Sequence, residues 1–235
     1  VKKVNKGVAY AKNLVCLAAS RKTGGLCVAG KCIDTKERVK EWIRPVTSHA
    51  DGTLLEQAVR YVSGGSPALL DILQIQFIRP QPHGHQIENH LIDPSVPWKK
   101  VGQFAVTLID ELVDDPSEIW IDGSSSSYGL NDTLSEAEAA KMGSSLLFIP
   151  PDKLSLTVNI EYPSQEYRRK KVRARIGYGR KQYVLAVTDP LFEGPYLLKD
   201  VGDYPLPASH YRLCVSLTEA FQGKCYKLVA GIVRL

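Results

Sequence analysis

The sequence predicts a mainly β chain of the α+β kind, divided into two units, residues 1–150 and 151–235. Three observations carry this expectation. Runs of four to ten residues with strand-like alternation or apolar clustering recur from Asn13 to Val233. Helical spacing is confined to residues 53–143. The charge changes sign near Pro150-Pro151: residues 1–150 carry 16 Lys/Arg and 17 Asp/Glu, net −1, whereas residues 151–235 carry 14 and 8, net +6.

With 235 residues, 44% hydrophobic and 23% charged, the chain can bury a real core, which excludes a disordered tail. The five cysteines (Cys16, Cys27, Cys32, Cys214, Cys225) form no C-x-x-C pair. Cys16 and Cys27 sit among apolar neighbours, where a thiol serves as a small buried hydrophobe. No secretory leader or apolar run of membrane-spanning length is read, so a reducing, cytoplasmic setting without a membrane partner is expected.

Val1 to Lys12 reads as a loose basic arm. Strands are expected at Asn13–Ala19, Leu26–Ile33 and Val39–Val46, with the charged Asp34–Glu37 connection between the last two, as in a β-meander. Leu54, Leu55, Ala58, Val59 and Val62 share a helical face within 53–62, and Gly64-Gly65 ends that helix. Leu73, Ile75 and Phe77 alternate with Gln74 and Gln76 in a half-buried strand, Leu69–Ile78, stopped by Pro80 and Pro82. Val101, Phe104, Ala105, Leu108, Ile109 and Leu112 recur at helical spacing and predict an amphipathic helix. Glu118–Ile121 reads as a strand, Gly123–Asn131 as a loop flexible by its Ser/Gly composition, and Ser135-Glu-Ala-Glu138 as a capping box opening a short helix that Gly143 ends.

Beyond Pro151 five strands are expected: Leu154–Tyr162, Lys170–Ile176, Tyr183–Thr188, Tyr211–Ser216 and Tyr226–Val233, with Gly177-Tyr-Gly-Arg180 as a hairpin turn. Five mostly antiparallel strands suit a small closed barrel of the OB type better than a sandwich of seven or more.

The strongest functional signal is the segment Tyr162–Tyr183, with eight Lys/Arg against one Glu and four tyrosines. On a strand, Lys171, Arg173 and Arg175 share one face while Val172, Ala174 and Ile176 face the core, so the alternation aims the cations outward. With Arg168, Arg169, Lys170, Arg180 and Lys181 they form a basic stripe that could track phosphates, while Tyr167, Tyr178 and Tyr183 could stack on bases. Lysines and arginines also shield edge strands from pairing, which is the plain structural alternative.

A second constellation is Pro82–Asp93, holding three of the chain's five histidines, His83, His85 and His90. On a strand His83 and His85 would point the same way and, with Glu88 or Asp93, could ligate a divalent metal. His-x-His is a weak pattern with no assigned third ligand, and hydrogen bonding at a loop or ligand cleft is the simpler reading. No metal or cofactor is expected. Ser20-Arg21-Lys22 with Gly24-Gly25 offers backbone donors and two cations to a phosphate, yet lacks the order of a nucleotide-binding loop and also reads as a turn. In Trp42-Ile-Arg44-Pro45, Trp42 is expected in the core and Arg44 at a phosphate.

Four segments together carry a resemblance to a known family: Cys16-Leu-Ala-Ala-Ser-Arg-Lys22 with Gly24-Gly-Leu-Cys-Val-Ala-Gly30; Trp42-Ile-Arg-Pro45; Pro82-His-Gly-His-Gln-Ile-Glu-Asn89; and Leu213-Cys-Val-Ser-Leu217 leading to Cys225-Tyr-Lys-Leu-Val-Ala230. The chain resembles the prokaryotic dual OB-containing domain. The resemblance implies two OB-like β-barrel units, the first elaborated with helices, and a non-catalytic role in sensing or binding nucleic acid as part of a defence system, alongside an effector protein. It also implies that Ser20, Arg21, Lys22, Arg44, His83, His85, Gln86, Glu88 and Asn89 matter in the first unit. The rival readings are a metal-dependent phosphoesterase using His83, His85 and Glu88, and an adaptor whose basic face meets an acidic protein.

Overall fold

The computed structural model describes residues 9–22, 24–33, 41–49, 52–162 and 169–235. The arm as far as Val8, the connection at 34–37, Val39, Tyr167 and Arg168 lie outside the described residues. The chain divides into two compact units, Val1–Ala105 and Val106–Leu235.

The first unit holds six strands: β1 (Tyr10–Lys22), β2 (Gly25–Cys32), β3 (Trp42–Val46), β4 (Asp71–Pro80), β5 (Asn89–Ile92) and β6 (Lys99–Gln103). Their order is β1-β2-β3-β5-β4-β6, and β1 also pairs β4, so five of them close on themselves. Closure depends on the length of β1: Tyr10 to Val15 pair with β4, Leu14 to Lys22 pair with β2, and a bulge between Cys16 and Ala18 bends the strand from one partner to the other. The β3–β5 ladder is parallel. Leu73, Ile75 and Phe77 are fully buried while Gln74 and Gln76 are half exposed, as the alternation predicts, and they join Leu14, Val28, Ile43 and Trp98 in the core. The predicted helix at 53–62 is a single 3-10 turn, Glu56–Val59.

The second unit contains β7 (Thr133–Ser135), α1 (Glu136–Ala139), β8 (Leu146–Ile149), β9 (Lys153–Glu161), β10 (Arg169–Tyr178), β11 (Lys181–Val187), α2 (Pro190–Leu197), β12 (Gly202–Leu206), β13 (Tyr211–Leu217) and β14 (Lys224–Arg234). The sheet order is β12-β9-β10-β11-β14-β13-β8, with β7 on β14. Within it, β9-β10-β11-β14-β13 repeats the order of the first unit, and the third and fifth of these strands, β11 and β14, are again parallel. The five predicted strands are all present. Ser135 and Glu138 form the expected capping box, each accepting the other's backbone N–H.

Three expectations are corrected. First, the units meet between Ala105 and Val106, so residue 150 falls inside the second unit. Strands β7 and β8 lie ahead of that residue yet pair with β14 and β13. Second, 101–112 is not one helix. Lys99–Gln103 joins the ladder of β4, and Val106–Leu112 is a 3-10 segment burying Ile109 and Leu112 while Val101 and Leu108 stay exposed. Third, Glu118–Ile121 forms no strand; Ile119 is anchored in the core as an irregular segment, its N–H donating to the Tyr183 hydroxyl. The five-strand OB-like order of this unit is extended at its edges, β12 pairing β9 and β8 pairing β13.

Candidate functional site

In the first unit, the motifs that begin at Ser20 and Pro82 fall on the β1–β2 and β4–β5 connections of one barrel. Ser20-Arg21-Lys22 ends β1, and the turn through Gly24 leads into β2. Arg21 is exposed, Lys22 half exposed, and Ser20 buried opposite Cys27. The segment between β4 and β5 folds into a small hairpin: His83 and Gln86 exchange backbone hydrogen bonds of 3.2 and 3.0 Å, and Gly84 takes φ +55° at the tip. A β-branched or bulky residue is strained in that region.

The base of this hairpin is tied to β3. Arg44 N–H donates to the Glu88 carbonyl at 2.8 Å, the Arg44 guanidinium lies 3.3 Å from the Glu88 carboxylate and 3.5 Å from Asn89 Oδ1, and Asn89 donates to Gln86 Oε1 at 3.3 Å. Arg44, His85, Gln86, Glu88 and Asn89 are buried, whereas His83 stands exposed. The expected phosphate contact of Arg44 is therefore corrected: its charge is spent on Glu88 inside the protein. His83 is exposed while His85 and Glu88 are buried, with Glu88 held by Arg44, and this does not assemble the set of ligands that the metal reading needs. Among the described residues no three His, Cys, Asp or Glu side chains converge as metal ligands. His90, left unassigned by the sequence, lies beside Tyr10 with Oη and Nδ1 2.5 Å apart, and burial followed by the Lys12 charge lowers its pKa from the usual 6.5.

In the second unit the outward alternation of β10 holds, with Val172, Ala174 and Ile176 buried. Three of its cations, Arg173, Arg175 and Lys181, have acidic partners. Arg173 donates to Glu161 at 2.6 and 3.3 Å and lies 3.6 Å from Asp132, Arg175 bonds Thr157 at 3.1 Å beside Asp203, and Lys181 bridges Glu118 and Asp122. Tyr178 and Tyr183 are core residues: the Tyr178 hydroxyl donates to the Pro116 carbonyl, and Tyr183 is 0% exposed. Neither ring is open to a base, which overturns their stacking role. Arg169, Lys170, Lys171 and Arg180 remain exposed, Lys170 reaching the Lys199 carbonyl.

Moving the boundary moves the charge. Residues 1–105 carry 15 Lys/Arg and 8 Asp/Glu, net +7, and residues 106–235 carry 15 and 17, net −2. Three acids of 106–150, Glu118, Asp122 and Asp132, pair with Lys181 and Arg173 of β10–β11. The positive field belongs to the first unit.

Lys227 is a residue that the sequence reasoning missed, although Cys225, Lys227 and Val229 share an inward face of β14 by simple alternation. It is 1% exposed, donates to the Ile121 carbonyl at 2.8 Å and Asn131 Oδ1 at 3.1 Å, and lies 5.1 Å from the Tyr183 ring. Burial lowers its pKa from 10.5 to about 8, partly opposed by Asp122, Glu118 and Asp132. Between these values the unfolded chain holds a proton that the folded chain has released, so stability rises with pH across the window and is lost again as pH falls to 8. The expected gain is about 3 kcal/mol. Burial raises the pKa of Tyr178 and Tyr183 and opposes the gain above pH 10, so the informative quantity is the difference between the native protein and Lys227→Met in urea unfolding at stepped pH. A difference that stays flat from pH 8 to 10 would contradict a lowered pKa for Lys227 in the folded chain.

A five-stranded closed barrel, a second unit repeating its strand order, and polar loops at the first–second and fourth–fifth strand connections define an OB-fold binding module. A family model described as the dual OB-containing domain matches residues 12–232, and the chain belongs to this family. Searches of curated proteins and of solved structures returned no match.

Proposed function

We propose that the protein is a non-catalytic nucleic-acid-binding module whose principal face is the β2–β3 side of the first barrel, framed by Arg21 and Lys22 on one loop and by the His83–Glu88 hairpin on the other. The observation that carries this reading is the convergence of the two singled-out motifs on the loops that frame the ligand face of OB barrels. The net +7 of residues 1–105 supports it, because a concentrated positive field speeds encounter with polyanions. Buried Arg44, Gln86, Glu88 and Asn89 hold the hairpin in place instead of touching the ligand. Arg169, Lys170, Lys171 and Arg180 form a separate exposed cationic surface on the second unit.

The role extends, in this proposal, to a sensor or accessory module of a prokaryotic defence system, as the resemblance implies, working with an effector protein in the cytoplasmic setting that the cysteine pattern suggests. Among the described residues no helix is long and apolar enough to cross a membrane.

The test is fluorescence anisotropy with labelled single- and double-stranded DNA and RNA across a salt series. Binding that weakens steeply with salt is expected, and Arg21→Glu with Lys22→Glu should reduce the log–log salt slope by about 2 and the affinity by at least about tenfold. No binding of any of the four probes at low salt overturns the proposal in favour of an adaptor that recognises an acidic protein.

A further inference from the structure

The second unit carries a cavity of about 300 Å³ on the outer side of β10, β11 and β14. Its floor is one row across three strands, Arg173 paired with Ala186 and Ala186 with Leu228, with Tyr226 one step along the same face of β14. Ser125, Ser126 and Ser127 line one wall, and Tyr162 and Lys224 stand at more exposed positions.

The serine-bearing segment is a built wall, correcting the flexible loop expected from its composition. Ser124 and Thr133 exchange backbone hydrogen bonds of 2.9 and 3.0 Å, and Leu130 and Val184 exchange bonds of 3.2 and 2.9 Å. Inside it, Asp132 accepts from Ser126 N–H at 2.7 Å and from Ser126 Oγ at 2.6 Å. A Cβ at Gly129 would lie 1.8 Å from Asp132 Oδ2, so only glycine lets this carboxylate sit beneath the turn.

We propose that this cavity binds one free ligand of the nucleoside-monophosphate class, its phosphate at Lys224, its base against the rings of Tyr162 and Tyr226, and its sugar hydroxyls along the serine wall. Three features select that chemistry. The volume lies at the small end of ligand pockets, enough for one nucleotide-sized molecule. Lys224 stands exposed at the rim, where a phosphate can reach its charge, while Arg173 is held by Glu161 and Asp132 and Lys227 is buried. The anchored 123–132 segment closes one side, so a polynucleotide does not run through as it would along an open barrel face. This site is separate from the face assigned to nucleic acid in the first unit, and either assignment can fail without the other.

The experiment is isothermal titration of the full chain with the four ribonucleoside 5′-monophosphates, the matching nucleosides, inorganic phosphate and a short oligonucleotide. At least one monophosphate is expected to bind with 1:1 stoichiometry and a Kd at or below about 1 mM, and more tightly than its nucleoside or phosphate alone. Lys224→Glu and Tyr226→Ala, with folding verified by circular dichroism, should each weaken it at least about tenfold, whereas Arg21→Glu with Lys22→Glu should leave it unchanged. Absence of saturable binding of every monophosphate, binding undiminished in both pocket variants, or binding of the oligonucleotide alone at this site would overturn the proposal.

Discussion

Arg44→Leu is expected to destabilise the first unit by about 3–5 kcal/mol, the range for removing one partner of a buried ion pair. The Arg44 and Glu88 side chains are 4% and 3% exposed, so the substitution leaves a carboxylate inside the protein without its cation. The same change frees the hairpin from β3, since Asn89 loses its contact with the guanidinium and its own bond to Gln86 becomes less constrained. Arg44→Leu combined with Glu88→Leu should be more stable than Arg44→Leu alone, because the second substitution removes the stranded charge. Native-state hydrogen exchange of the β3 and β5 amides reads both effects. A loss within about 1 kcal/mol for the single variant would show that Arg44 is not the anchor of the hairpin.

Arg173→Ala is expected to cost the second unit about 3–5 kcal/mol for a related reason, with two carboxylates stranded instead of one. The Glu161 and Asp132 side chains are 6% and 4% exposed and both face the guanidinium. By contrast, Arg169→Glu with Lys171→Glu, on the exposed part of the same strand, should leave stability within about 0.5 kcal/mol of the native value. Urea unfolding of the three proteins checks this. If Arg173→Ala proves as stable as the native protein, its ion pairs contribute nothing and the residue returns to the set of phosphate contacts. If the expected loss is found, weakened oligonucleotide binding by an Arg173 variant reports damage to the fold.

Much of the architecture was readable because strand burial leaves a period of two. Leu73, Ile75 and Phe77, or Val172, Ala174 and Ile176, announce an inward face without knowledge of the partner strands. The failures arose where local pattern and tertiary demand diverge. Apolar residues from Val101 to Leu112 mimic a helical stripe, yet several are exposed, and the ladder of β4 claims Lys99–Gln103. The run Ser124–Ser127 has the composition of a flexible linker, but its hydroxyls and amides bond within the turn and to Asp132. Lys227 sits on an inward register that the alternation of β14 already contains, and the usual exposure of lysine hid it.

The candidate site divides along the same line. Ser20–Lys22 and Pro82–Asn89 stand out in the sequence as polar and glycine-bearing segments, but only the order β1-β2-β3-β5-β4 places them at the β1–β2 and β4–β5 connections of one barrel. The stripe from Arg169 to Lys181 is equally visible, and nothing in its own residues reveals that Glu118, Asp122, Asp132 and Glu161 fold against it.

By itself the sequence determined that the chain is mainly β, where most strands run, which face of each is buried, and that it resembles the dual OB family, because each of these follows from short-range alternation or from contiguous motifs. Only the tertiary structure decided where the two units part and which cations keep their charge for a partner. Both depend on pairing between residues up to about a hundred positions apart, such as Arg212 with Asp110, and the free energy of a charge is set by the neighbours that folding brings to it.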